Sequence, residues 1–556
     1  MRPGFRIAIL AIGVSSIAFA LTPYRSKTAM VVAQEPIAAD VGTSILKSGG
    51  NAVDAAVAVG FALAVTHPSA GNIGGGGFLL IRLANGTTTF IDFREKAPGS
   101  ASRNMYIGPN GAPTRDSIEG WRASGVPGTV RGLEMAHKKF GRKPWSADLR
   151  PAVRLASKGF TLWYEFANEL NNASIRLSEY PESKRIFVRD GGWKPGDRFV
   201  QQDLGRTLKR LARYGSKDFY DGRTARLLAK AMGENHGTIG LEDLHAYNAV
   251  EREPLRGRYK GYDIITSPPP SSGGVGILQM LGVLEGTGYQ KAGFGSAAAI
   301  HYVVEAMRRY YADRSEYLGD PDFFKVPISS LLQPRYLEQL RKSIDPAHAS
   351  NSDAIRPGTL PRAESDHTTH FSIVDKDGNA VSLTYTLNGG YGSGVTIPGA
   401  GFLMNNEMDD FAAQPGSPNM FGLVQGESNS IRPGKRPLSS MTPTILLKDG
   451  KLYMVVGGPG GGRIITSVLQ TIINNVDFGF NVRDAVDAPR FHHQWKPDQI
   501  SMERGFSPDT IRLLEGMGHK VTMTAPASSI FAIIVQPDGW LSGAADGRGY
   551  GKASGY

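Results

Sequence analysis

Thr368 opens a stretch, TTHFSIVDKDGNAVSLTYTLNGGYG through Gly392, in which two threonine-rich apolar segments flank the turn DKDGN. Lys376, Asp377 and Gly378 suit a three-residue hairpin loop, with Gly378 in the left-handed conformation that glycine adopts cheaply. Pairing Asp375 with Asn379 then sets Thr368 opposite Thr386 on one face, about 4.5 to 5.5 Å apart at Cα. A two-residue loop would shift the register by one and turn these side chains to opposite faces. A hydroxyl held beside a second hydroxyl suits a nucleophile that needs orienting. Threonine also fits any pleated surface, so the pairing alone leaves a purely structural reading open.

The elements around this hairpin follow from simpler signals. Ala52 to Thr66 is an apolar, alanine-rich run stopped at Pro68, and about fifteen residues suit a core helix rather than a membrane span. Leu452 to Val456 reads as an apolar strand, and the glycines after it, like GGGGF, suit tight turns. Asp345 to Glu364, rich in Pro, Ser, Asp and Ala, is the linker candidate and ends just before Thr368. Although 556 residues allow two domains by length, one intertwined core is expected.

Arg2 and Arg6 precede an apolar run from Ile7 to Leu21, and Ala18, Phe19 and Ala20 form a small-residue cleavage site. Residues 1–20 therefore read as a signal peptide, with an uncleaved anchor as the alternative, and the chain as exported, periplasmic or secreted. The absence of cysteine excludes disulfides, thiol catalysis and zinc-thiolate sites. The net charge of +11 fits an anionic ligand, a polyanionic surface or simply a solvated basic exterior. No run of five basic residues and no nucleic-acid module occurs, so no DNA or RNA partner is expected. There is no HExxH, Walker loop or EF-hand loop. His492 and His493 are adjacent, which points their side chains apart in a strand, so they read as structural rather than as a metal pair.

The segment from Thr368 through Thr369, His370, Ser372, Gly378, Asn379, Val381, Thr384, Thr386, Asn388, Tyr391 and Gly392 resembles the signature of the gamma-glutamyltransferases, or glutathione hydrolases. Further similar motifs span nearly the whole chain after the leader: GNIGGGGF at Gly71, DFRE at Asp92, PPPSSGG at Pro268, NNEMDDF at Asn405, KRPLSSMTPT at Lys435, GGPGGGRI at Gly457 and APRFHHQW at Ala488. The resemblance implies an α+β, four-layer αββα N-terminal-nucleophile hydrolase, made as a precursor that cuts itself into a large subunit, 21–367, and a small subunit, 368–556. No metal or organic cofactor is implied.

Within that resemblance, Thr368 attacks the carbonyl of His367, the peptide shifts to an ester, and water releases the Thr368 amine. An α-amine has an ordinary pKa of about 7.7 to 8.0, so near neutral pH a useful fraction can act as base for the adjacent hydroxyl. Thr386 orients that hydroxyl, and Gly460 and Gly461 supply oxyanion donors. The resemblance places Arg94, Ser439 and Ser440 on the substrate's α-carboxylate, and Asn388, Glu407 and Asp410 on its α-amine. An arginine fork suits a carboxylate and paired acids suit an ammonium. Taken singly, Arg94 reads as a surface ion pair and Asp410 as a helix or turn cap. Glu407 is glutamine in some bacterial relatives. Phe421, in a stretch similar to a lid loop, stands where tyrosine is common.

The expected donors are glutathione and other gamma-glutamyl compounds, and the acceptors are water, amino acids or dipeptides. The alternatives are a related acylase, such as a cephalosporin or glutaryl amidase or a capsule transpeptidase, and an uncleaved, non-catalytic binding protein.

Overall fold

The run AVDAAVAVGFALAVT has no polar stripe, so a helix built from it must be enclosed on all sides. In the computed structural model it forms the helix Ala52–Thr66, every residue of which is buried. Its start is doubly capped: Asn51 Oδ1 accepts from the amides of Val53 and Asp54, and Asp54 Oδ2 accepts from the Asn51 amide. The structure describes residues 22–355, 368–414 and 426–556. The leader, the end of the linker with His367, and Phe421 lie outside the described residues.

Two seven-stranded antiparallel sheets stack on each other. The first runs in space through Lys552–Gly555, Met30–Ala33, Thr369–Val374, Ala380–Thr386, Gly76–Arg82, Thr88–Asp92 and Val250–Arg252. The second runs through Tyr24–Ser26, Leu541–Ala545, Phe531–Val535, Lys451–Gly457, Thr444–Lys448, Tyr262–Thr266 and Leu255–Tyr259. Strands from before and after residue 367 interleave in both, so the two parts of the chain share one core.

Alternation along the Thr369–Val374 hairpin sorts its side chains between two layers. Phe371, Ile373, Val381, Leu383 and Tyr385 pack into the apolar cluster of the helix Ala52–Thr66. The intervening residues face the second sheet: Ser372 Oγ donates to the Phe531 carbonyl (3.0 Å) and Ser382 Oγ to the Val456 carbonyl (3.2 Å). The far side of the second sheet carries the helices Gly273–Leu284, Ala297–Tyr317 and Arg463–Val476. The order is helix, sheet, sheet, helix, an α+β architecture.

The hairpin has the register expected from its turn. Thr369 pairs with Tyr385 and Val374 with Ala380, the Asp375 amide donates to the Asn379 carbonyl at 3.0 Å, and Gly378 has φ +85°. Asp375 also ties the turn to the core helix, because its carboxylate accepts from the amides of Asp377, Asn379 and Ala52 at 2.9 Å each. One step beyond the ladder, the register carries Thr368 to Thr386. Among the described residues no helix is long and apolar enough to cross a membrane.

His492 and His493 have separate partners. His492 meets Thr466 Oγ1 and Gln494 Oε1 at 2.9 and 2.8 Å, whereas His493 meets Asp498 Oδ1 at 3.2 Å.

Candidate active site

At the open end of the hairpin lies a cavity of about 20 Å³. Its lining brings together Thr368, Thr386, Asn388, Arg94, Glu407, Asp410, Ser439, Ser440 and Gly461, residues separated by up to 367 positions, with Met441 and Ile464 completing the wall. Gly460 adjoins Gly461.

Thr368 is 6% exposed, just inside the cavity. Thr386 Oγ1 accepts from the Asn388 amide at 2.8 Å. That contact belongs to a sharp turn in which Asn388 has φ +73°, a left-handed conformation that asparagine tolerates better than most residues. Asn388 Nδ2 donates to the Asn406 carbonyl at 3.0 Å, which leaves the amide oxygen to accept. His370, two residues from Thr368 on the same face, is no base. Both ring nitrogens lie against hydroxyls, Thr384 Oγ1 at 2.8 Å and Ser372 Oγ at 3.1 Å, and burial pulls its pKa down to about 3.

Arg94 follows the strand Thr88–Asp92 and is 1% exposed, so it is not the surface ion pair that its tetrapeptide alone suggests. Asp92 accepts from the Arg94 amide at 3.0 Å and is itself held by Arg252 at 2.7 Å and Arg436 at 3.3 Å. The Arg94 guanidinium donates to the carbonyls of Pro437 (3.2 Å) and Leu438 (3.1 Å). Its remaining edges meet Glu407 and Asp410 Oδ2, the latter at 2.5 Å. Asp410 is therefore an ion-pair partner rather than a cap, at the end of the short 3₁₀ turn Glu407–Asp410. Asn405 anchors that turn: its Oδ1 accepts from the Glu407 amide at 3.0 Å and its Nδ2 donates to the carbonyls of Gly74 and Gly125 at 2.8 Å. The glycine-rich GNIGGGGF segment thus serves the acid pair from behind.

The charges form one buried group. Burial disfavours the Arg94 cation, but Glu407, Asp410 and Glu95 outweigh it and hold the guanidinium firmly protonated. Glu407 is pushed well above the usual carboxylate range, chiefly by burial. Glu95, wholly buried with neither carboxyl oxygen hydrogen-bonded, is pushed up to about 7 by burial, against the pull of Arg94 3.8 Å away.

The glycine segment after Lys451–Gly457 supplies donors. Gly460 has φ +132° and Gly461 φ +52°, and a Cβ on Gly460 would lie 2.4 Å from Ser528 Cβ. Their carbonyls accept from the amides of Arg463 and Ile464 at 3.0 Å, while their own N–H groups donate to nothing among the described residues. They sit at the N-terminus of the helix Arg463–Val476, where the partial positive charge favours an oxyanion. Across the cavity, Ser439 donates its amide to the Pro270 carbonyl at 2.9 Å, and Arg314 donates to Ser440 Oγ at 3.2 Å. PPPSSGG is the shelf beneath these serines.

Sequence reasoning left out Glu95, Arg314, Tyr311 and Ser272. Tyr311 Oη holds the Gly462 carbonyl at 2.6 Å, and Ser272 Oγ accepts from Arg314 at 2.9 Å. The available signal was Glu95 beside Arg94 in DFRE, and the run MRRYYADR in a helix that buries its charges.

Residues 38–556 match the family model for Gamma-glutamyltranspeptidase. The chain belongs to this family. It is 51% identical to the glutathione hydrolase proenzyme of Escherichia coli (strain K12), over 95% of this chain and 91% of that one. Among solved structures, cephalosporin acylase from Bacillus halodurans superposes with a TM-score of 0.86 over 99% of both chains at 26% identity. Helicobacter pylori gamma-glutamyltranspeptidase matches at 44% identity and TM-score 0.59, covering 60% of this chain and 97% of that chain. The four-layer arrangement of this gamma-glutamyltranspeptidase is the N-terminal-nucleophile hydrolase fold, and the protein is an acyltransferase and hydrolase.

Proposed function

We infer that this gamma-glutamyltranspeptidase cuts itself between His367 and Thr368, and that Thr368 then carries a gamma-glutamyl group from glutathione and related donors to water, amino acids or dipeptides. One observation carries the reading: a single small cavity holds Thr368 beside Thr386, a cation between two acids, and Gly461.

The chemistry follows from those parts. The Thr368 amine takes the proton of its own hydroxyl, and the alkoxide attacks the donor's γ-carbonyl. Thr386 fixes the direction of attack, and the Gly460 and Gly461 amides stabilise the tetrahedral oxyanion. The amine returns the proton to the leaving nitrogen, which leaves an ester on Thr368 for water or an acceptor amine to open.

The ion pairs explain why the donor must be an amino acid. A zwitterionic head group entering between Arg94 and its acids gives its carboxylate to the guanidinium and its ammonium to Glu407 and Asp410. Each ion pair broken is replaced by another, so desolvation is compensated. Asn388 adds an acceptor for the ammonium, and Ser439 and Ser440 add donors for the carboxylate. An acylase substrate without an α-amine would leave the two acids uncompensated. The 51% identity to a glutathione hydrolase proenzyme, against 38% to an acylase proenzyme of Pseudomonas sp. (strain SE83), favours the same reading.

The solved H. pylori chain matching 60% of this one is the size expected of a large subunit. The basic, apolar leader supports export. Mass spectrometry of purified protein incubated with a γ-glutamyl anilide tests the whole reading, since it reports processing and amine release together. An intact, inert chain would overturn it.

A further inference from the structure

The formal charge of +11 is not spread evenly. A cleft of about 750 Å³ between the helices Gln202–Tyr214 and Arg223–Glu234 is lined by seven basic side chains and two acidic ones. That local excess of five positive charges is close to half of the chain's total.

On the first helix Arg206, Lys209, Arg210 and Arg213 recur at intervals of three and four, which puts them along one face. Lys217 sits in the connection, and Arg223 and Arg226 close the cleft from the next helix. Some of this charge is already answered. Arg206 pairs with Asp203, Arg210 with Asp218 at 3.1 Å, and Asp221 is taken by His245 Nδ1 at 2.5 Å. Lys209, Arg213, Lys217, Arg223 and Arg226 are exposed and have no acidic partner among the described residues.

Stability does not account for this pattern. Arg223 and Arg226 stand in the first turn of their helix, which contains no acid, although the positive end of a helix dipole disfavours cations. They also repel the arginines opposite. Water and salt screen these exposed charges in part, and a multivalent anion would pair with several of them at once. Five of the seven cations are arginines, whose planar fork matches phosphate. The cleft is open rather than enclosed, so an extended, chain-like molecule can lie along it.

We propose that this cleft binds a soluble polyphosphorylated anion, one with several closely spaced phosphate groups, at a site separate from the acyl-transfer cavity. The test uses the mature enzyme and end-labelled linear inorganic polyphosphate, followed by fluorescence anisotropy over a range of salt concentrations. Affinity falls steeply with salt, and the Arg213→Glu/Arg223→Glu variant weakens binding about tenfold or more with a shallower salt dependence. Lys325→Glu/Lys451→Glu reverses the same charge on other faces and leaves binding within about twofold of wild type. Unchanged donor hydrolysis shows that the variants are folded, and Arg213→Gln/Arg223→Gln replaces the reversal if it is not. Equal loss in both double variants would overturn the proposal, because attraction would then follow net charge alone. Phosphatidylglycerol vesicles or single-stranded DNA binding more tightly per phosphate than polyphosphate would overturn it too.

Discussion

Replacing Arg94 by lysine keeps one positive charge at the centre of the cavity and removes the fork. The native guanidinium makes two bonds to the carbonyls of Pro437 and Leu438 and two to the carboxylates of Glu407 and Asp410, all almost out of reach of water. A lysine ammonium can face one of the two acids, but it cannot hold a substrate carboxylate in two parallel bonds. The loss is one charge-assisted hydrogen bond in a dry site, about 1.5–3 kcal/mol, which corresponds to a rise in KM of roughly 10- to 150-fold. Because the proposed role sets the fork on the head group and not on the scissile bond, kcat should change little, and precursor cleavage should proceed. Steady-state hydrolysis of a γ-glutamyl anilide, beside a gel of the subunits, gives both readouts. A KM within a factor of two of wild type would remove Arg94 from the donor site.

Four other outcomes are expected. Thr368→Ala should give a full-length, folded, inactive precursor, and Thr368→Ser a slowly processed enzyme with measurable turnover because it keeps the hydroxyl but loses the methyl that restricts χ1; a cleaved, active alanine variant would refute the nucleophile. Peptide mapping of the smaller band should find Thr368 as its first residue, and any other N-terminus contradicts the assignment. Gly460→Ala forces a Cβ to 2.4 Å from Ser528 Cβ at φ +132°, so turnover should drop about 100-fold or more as the oxyanion donors move; normal turnover would place those donors elsewhere. Glu95 keeps its proton in the folded state up to about pH 7, against an ordinary value of 4.5, so it contributes a loss of stability as pH rises through that window. Glu95→Gln should therefore flatten the fall in Tm between about pH 4.5 and 7, and an unchanged slope would show that Glu95 titrates normally.

Much of the hairpin was legible because local rules decide it. Loop length, the glycine at the left-handed position and the alternation of apolar residues are enough to set the register from Asp375 to Thr386. The core helix was legible for a similar reason, since an all-apolar fifteen-residue run has only one place to go. Arg94 and Asp410 were not legible singly: an arginine after a strand and an aspartate in a turn usually meet solvent, and only their motifs marked them. Glu95 was passed over although it stands beside Arg94 in DFRE, because no local rule shows that an acid after a strand will be buried with its neighbour.

The sequence by itself determined the place of Thr368 at the start of a hairpin, the kinds of charged side chain available to the cavity, and the family. Tertiary structure decided which of those groups meet. Arg94 and Glu407 are 313 positions apart and Thr368 and Gly461 are 93 apart, and no local rule brings such pairs together. They converge because two sheets, each built from strands on both sides of residue 367, stack face to face and bring the ends of separate strands to one edge. The closure of Arg94 on both acids is likewise a property of the folded cavity, where burial leaves each charge no partner but another charge.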